Sequence, residues 1–216
     1  MSVQCVIFDF DGTLFDSMYV WKDVGRKYLN MFHITPSDDF EQIITSMTLQ
    51  QAAEYVQHHY LTHQSVNQIM DGVSRIVAED YVSHILPAKG VPQLLAELAG
   101  MNVRMVIATL SEQKHVIAAL QRCHLDSYFM DIITAEDVPS GKQSAQIYEK
   151  AMAAAGGRKD HTIVVEDAYF AAKTAHDAGF TVVGVYEQNE TEHEKMKEIC
   201  DLYVEDLSKW KTGEVL

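Results

Sequence analysis

The segment Cys5-Val6-Ile7-Phe8-Asp9-Phe10-Asp11-Gly12-Thr13 constrains this chain more than any other. Four successive apolar residues predict a strand buried on both faces, the kind found inside parallel sheets. The strand runs straight into two aspartates separated by one residue, and Gly12 then lets the chain turn sharply. Two carboxylates at the carboxyl end of a buried strand are costly to hold together unless a cation shares the site. A divalent metal with oxygen ligands, foremost Mg2+, is the expected partner. An isolated Asp-x-Asp can equally cap the turn that follows it, so the rest of the chain has to decide.

From Ser17 to about Ile85 the pattern is helical. Trp21, Val24, Tyr28, Leu29 and Phe32 recur at helical spacing, and Pro36-Ser37-Asp38-Asp39 predicts a helix start with acidic residues at the positive end of the dipole. Thr48-Leu49-Gln50-Gln51 and Ser65-Val66-Asn67-Gln68 both fit a capping box ahead of an amphipathic run. About four helices, residues 17–85, are therefore expected as an inserted helical domain. Beyond them, strands predicted at 103–108, 131–134, 162–165, 181–185 and Tyr203-Val204 alternate with helices, one of them opened by Ser140-Gly141-Lys142. That alternation predicts an α/β fold, with a parallel-sheet core built from residues 1–16 and 86–216. The expected hinges lie near Asp16-Ser17 and Pro87 to Gly90.

The 47% hydrophobic and 22% charged content is that of a soluble globular chain. No run approaches the length of a membrane helix, and the first strand begins too early for a signal peptide. Cys5, Cys123 and Cys200 are widely separated, as in a reduced, cytoplasmic protein. A formal charge of −14 argues against nucleic acid or an anionic membrane as partner. A phosphorylated substrate would need a local positive site. The ten histidines show no metal-ligand spacing and are expected at the surface.

Ligands of open α/β sheets bind outside the carboxyl ends of the strands. Four groups with chemistry collect there: Asp9 and Asp11, Thr109, the helix-opening Lys142, and Glu166-Asp167. Singly, each could be a cap or a solvated side chain. One chemistry accounts for all of them. A carboxylate attacks phosphorus, a lysine and a metal neutralise the phosphoryl oxygens, and a hydroxyl with backbone N–H groups holds the remainder. A second carboxylate exchanges protons with the leaving oxygen and then with water.

These motifs resemble those of the haloacid dehalogenase superfamily of phosphohydrolases, in the branch with a helical cap after the first strand, which includes phosphoglycolate phosphatases and β-phosphoglucomutase. Asp9-Phe10-Asp11-Gly12-Thr13 matches the first motif, Thr109 the second, Lys142 the third and Ile163-Val164-Val165-Glu166-Asp167 the fourth. The chain departs in lacking the prolines common after the lysine and in carrying Ala171 where glycine is frequent. The resemblance implies a Rossmann-like core with residues 17–85 as its α-helical cap domain. It implies Asp9 as nucleophile and metal ligand, and Asp11 as general acid/base with its backbone carbonyl on the metal. Thr109, Leu110 and Lys142 would hold the phosphoryl group, while Asp167 and Glu166 would complete a Mg2+ site.

The expected activity is Mg2+-dependent hydrolysis of a small phosphorylated metabolite, such as a sugar phosphate. A phosphomutase is the nearest alternative, and the stretch Asp16 to Lys22 lacks the histidine that the resembling mutase carries there. Trp21 and Lys22 are candidate substrate contacts. A phospho-accepting signalling domain of the receiver type is an alternative of another class, against which Asp11 and the helical insertion both count. Neither the substrate nor the oligomeric state is legible at this level.

Overall fold

The computed structural model describes residues 3–211. Its first strand, β1 (Cys5–Phe8), is fully buried and leads through the Asp9–Leu14 turn into a two-residue strand, β2 (Phe15–Asp16). Five helices follow: α1 (Met18–Trp21), α2 (Val24–Asn30), α3 (Phe40–Ile44), α4 (Leu49–His59) and α5 (Val66–Ser83). The two-residue strand β3 (Leu86–Pro87) then pairs antiparallel with β2, Phe15 opposite Pro87 and Asp16 opposite Leu86. The helical segment thus leaves and re-enters through one narrow ribbon.

The remaining chain alternates helix and strand: α6 (Val91–Gly100), β4 (Arg104–Ala108), α7 (Gln113–Arg122), β5 (Phe129–Ile133), α8 (Gln146–Ala154), β6 (Thr162–Glu166), α9 (Tyr169–Asp177), β7 (Thr181–Val185), α10 (His193–Ile199) and β8 (Leu202–Val204). Six strands form one sheet in the order β5-β4-β1-β6-β7-β8, and every pairing in it is parallel. This is the expected α/β Rossmann-like architecture. The chain works outward from β1 to one side, then returns to add β6 on the other. The crevice at the carboxyl ends of β1 and β6 is therefore the switch point where ligands of such sheets bind.

Alternation of side chains splits the core in two. Val6 and Phe8 of β1 join Met105, Ile107, Ile163 and Val165 beneath α6, α7 and the helical segment. Cys5 and Ile7 face the other way, with Val106, Ala108 and Val164, against α8, α9 and α10. Each fully buried aliphatic or aromatic side chain contributes about 1.5–3 kcal/mol, so a strand buried on both faces is fixed in register as well as position.

Both expected capping boxes form. Thr48 and Ser65 each accept the backbone N–H of the glutamine three residues on, and each glutamine side chain reciprocates. Three expectations need correction. The single helix expected after Ser17 is broken into α1 and α2 at Asp23, whose φ of 58° is left-handed, a conformation aspartate tolerates better than most residues. The segment therefore holds five helices. Gly90, within the expected hinge, has a φ of +89°, and a Cβ there would lie 2.2 Å from the backbone nitrogen of Ser208. Lys142 opens no α-helix but sits in a 3-10 turn, Gly141–Gln143, with α8 beginning only at Gln146. Finally, His115 is buried on α7, within 2.9 Å of Ser74 Oγ and 3.2 Å of Glu112. Burial holds its imidazole below the usual range.

Candidate active site

Asp9 follows the last residue of β1 and is fixed there by its own N–H, which donates to Val165 O at 2.9 Å. Its side chain is 8% exposed and pairs with the ammonium group of Lys142. Lys142 also reaches Glu166 Oε1 at 2.8 Å, and the Tyr148 hydroxyl on α8 donates to the same oxygen at 2.8 Å. Glu166 closes β6 and Asp167 follows it, both buried. Thr13 Oγ1 lies 3.5 Å from Asp167 Oδ1. Gly12, at φ +78°, leaves room for that carboxylate: a Cβ there would stand 2.1 Å from Asp167 Oδ2.

Asp9, Glu166 and Asp167 each present an oxygen, and the three oxygens lie within 4.8 Å of one another. One ammonium faces three carboxylates. Burial, helped by the charge of Asp9, pushes the Glu166 carboxyl up to about 8 against the pull of Lys142. Burial and the neighbouring Asp9 and Glu166 push Asp167 well above the carboxylate range. Burial alone would lower Lys142, but Asp9 and Glu166 outweigh it and hold the ammonium above its usual value. Glu166 Oε2 is buried without a hydrogen-bond partner in the structure. An excess of buried negative charge with an orphaned oxygen suits a divalent cation with hard oxygen ligands, so the donor set fits Mg2+.

Asp11 has different company. Its carboxyl accepts hydrogen bonds from Ser17 Oγ at 2.6 Å, from Ser111 Oγ and from the hydroxyl of Tyr81. Burial raises its pKa, as does the charge of Asp9, while the three hydroxyls pull it back. Tyr81 lies on α5 and is fully buried, and its oxygen in turn accepts the indole N–H of Trp21 at 2.6 Å.

Thr109 follows β4 and is fully buried, its Oγ1 accepting Ser111 N–H at 3.0 Å. Leu110 is half-buried and packs over Gly141, where a Cβ would meet Leu110 Cδ2 at 2.6 Å. Asp9, Lys142, Glu166 and Asp167 are thus brought into one cluster, with the Asp11 network beside them. Trp21 is joined to Asp11 only through Tyr81, and Lys22 is exposed. Sequence reasoning passed over Tyr81 and Tyr148 altogether.

The sequence profile described as haloacid dehalogenase-like hydrolase matches residues 6–185. The chain belongs to that family. Among curated relatives of this haloacid dehalogenase-like hydrolase is the validoxylamine A 7'-phosphate phosphatase of Streptomyces hygroscopicus subsp. limoneus, 27% identical over 88% of each chain. Among solved structures, Rhodobacter sphaeroides CbbY in complex with phosphate superposes with a TM-score of 0.84 at 16% identity, covering 96% of each chain. The β-phosphoglucomutase of Clostridium difficile gives a TM-score of 0.81 at 18% identity, over 99% of this chain and 97% of that one. At such identities the two structural likenesses speak for the fold alone. No helix among the described residues is long and apolar enough to cross a membrane.

Proposed function

We propose that this hydrolase is a Mg2+-dependent phosphatase of small phosphate monoesters, acting through a phosphoryl group carried on Asp9. The observation that carries the reading is the buried cluster of Asp9, Lys142, Glu166 and Asp167 at the sheet's switch point, with a second, differently solvated carboxyl at Asp11. Curated relatives named as phosphatases support it, one of them a phosphoglycolate phosphatase.

In the first step a carboxylate oxygen of Asp9 attacks phosphorus, the bond from phosphorus to the ester oxygen breaks, and Asp11 gives that oxygen its proton. In the second, Asp11 takes a proton from water as the water oxygen attacks phosphorus. The phosphorus–Asp9 bond then breaks, releasing inorganic phosphate. Lys142 neutralises charge on the phosphoryl oxygens, and Thr109 with the backbone after β4 holds them. Asp9, Glu166 and Asp167 would hold Mg2+, joined by the backbone carbonyl of Asp11; when bound, it supplies positive charge against the phosphoryl oxygens. Residues 17–85 would act as a cap over a core of residues 1–16 and 86–216, closing out bulk water during turnover. A receiver-type signalling role fits poorly, because an acid/base placed like Asp11 discharges the phosphoryl group such a domain must keep.

A phosphomutase is the second reading, and one observation favours it. The stretch Asp16 to Lys22 lacks the histidine of the resembling mutase, yet Tyr81 supplies Asp11 with a partner from the helical segment by another route. Hexose 1-phosphates and 6-phosphates, with and without a bisphosphate primer, separate the two. Inorganic phosphate should appear faster than any sugar isomer. The reverse order would replace the phosphatase with a mutase.

A further inference from the structure

We infer that the Tyr81 hydroxyl, held by the indole of Trp21, positions the Asp11 carboxyl and so makes proton transfer to the leaving oxygen depend on how the helical segment is seated. The inference rests on reading Asp11 as the general acid and base. Tyr81 touches neither substrate nor phosphorus in this account; it is a positioning residue.

Donor arithmetic fixes the direction of the chain of bonds. An indole N–H can only donate, so the Tyr81 oxygen accepts from Trp21; its hydrogen goes to one oxygen of Asp11, while Ser111 Oγ, 3.2 Å from the same hydroxyl, gives its own hydrogen to the other. The ring is packed on three sides. It stacks near-parallel on Phe10, with centroids 6.1 Å apart and planes at 17°, and meets Trp21 edge-on at 6.3 Å. The His115 ring closes a third side at 5.4 Å.

The three donors to Asp11 come from different places. Ser17 directly follows β2 of the two-stranded ribbon, where the helical segment begins, and Ser111 lies just beyond β4 of the main sheet. Tyr81 belongs to α5, near the far end of the helical segment. The same buried face of α5 carries Ser74, whose Oγ lies 2.9 Å from His115 Nε2 on α7. Tyr81 therefore reaches Asp11 only while α5 is seated on α7. A carboxyl that has lost one of three donors gains rotational freedom, and an ångström of misplacement is enough to weaken a proton transfer.

Tyr81→Phe tests this, because it keeps the ring in its aromatic seat and removes only the hydroxyl. The substrates are 4-nitrophenyl phosphate and the best alkyl phosphate from a sugar-phosphate panel. Because kcat/KM reports steps up to phosphoryl transfer to Asp9, it isolates the need for an acid on the leaving oxygen. Nitrophenolate leaves without a proton, and an alkoxide does not. For the alkyl ester kcat/KM should fall about tenfold to a hundredfold. For the aryl ester it should stay within about threefold.

The double variant Tyr81→Phe, Trp21→Phe removes the indole N–H that the single change leaves unpaired, and should show the same selective loss. It keeps the test decisive should the single variant fold poorly. Equal losses on both esters, or none on either, would overturn the positioning role. Asp11→Asn serves as reference: if it spares the alkyl ester, the assignment of Asp11 has failed. If Asp11→Asn is selective and the Tyr81 variants are not, only the inference about Tyr81 has failed.

Discussion

Asp9 and Asp11 stand two residues apart, yet their surroundings have almost nothing in common. Asp9 is met by an ammonium group and crowded by two further carboxylates, whereas Asp11 is met only by hydroxyls. A carboxylate oxygen held beside an ammonium group is placed to act as a nucleophile. A carboxyl held by neutral donors in a half-buried place, its pKa raised, can carry a proton to and fro. On the proposed chemistry, the same side chain thus receives two roles from its neighbours. Those neighbours come from different parts of the fold: the charged set from turns at the sheet's edge, and one hydroxyl of the neutral set from a helix far along the chain.

The largest effect should follow from breaking the charged half of this comparison. Asp9→Asn is nearly isosteric and relieves some of the crowding of carboxylates, so the fold should persist while turnover of an aryl phosphate drops by several orders of magnitude. Circular dichroism and phosphate release measure both sides. A folded variant that kept even a tenth of the activity would show that Asp9 is not the nucleophile.

Local motifs made the charged half legible in the sequence. Asp9, Thr109, Lys142 and Glu166-Asp167 each stand where a buried strand ends or a helix is about to begin, and parallel-sheet topology brings strand ends together without further information. The neutral half was not legible. Ile69, Val73, Val77 and Tyr81 mark a core face of α5 by their spacing. Where the Tyr81 hydroxyl points, however, depends on how α5 docks against α7 and on a partner 70 residues away. His115 was misread for the same reason, since its burial comes from that docking and not from its own helix. The breaks at Asp23 and around Lys142 are conformational choices of one or two residues, which hydrophobic periodicity does not record.

A smaller effect should sharpen the account of the charged half. Without metal, Glu166 holds its proton up to about 8, against roughly 4.3 in an unfolded chain. Between those values the folded state binds the proton and the unfolded state does not. The contribution of Glu166 to stability is therefore full below the unfolded value and is lost as pH rises towards about 8. The raised Asp167 acts in the same direction. Mg2+ needs both groups ionised, so the gain in Tm on adding it should grow as pH is raised through this window. Scans from about pH 5 to 9 with Mg2+ and with chelator measure it, and chelator should also stop turnover. Asp167→Ala should abolish the gain. A gain independent of pH would mean that the cation binds elsewhere.

The smallest effect asks whether the helical segment reaches the charged half at all. Its two capping boxes make an internal control, because Thr48 and Ser65 cap in the same way but differ in what lies beyond them. Ser65 is exposed. Thr48 is buried against the turn that carries Lys142: a Cβ on Gly141 would meet its Cγ2 at 2.7 Å, and Gln143 Nε2 donates to Ser46 O at 2.9 Å nearby. Replacing either residue by alanine removes one cap, worth about 1 kcal/mol. That should lower Tm by about 2–4 °C in a chain of this size. Ser65→Ala should leave kcat/KM unchanged, since nothing it touches leads to the site. Thr48→Ala also empties the space beside Gly141, letting the Lys142 turn relax, and should lower kcat/KM as well as Tm. Matching kinetics for the two variants would confine the segment's influence on the chemistry to the neutral half, through Tyr81.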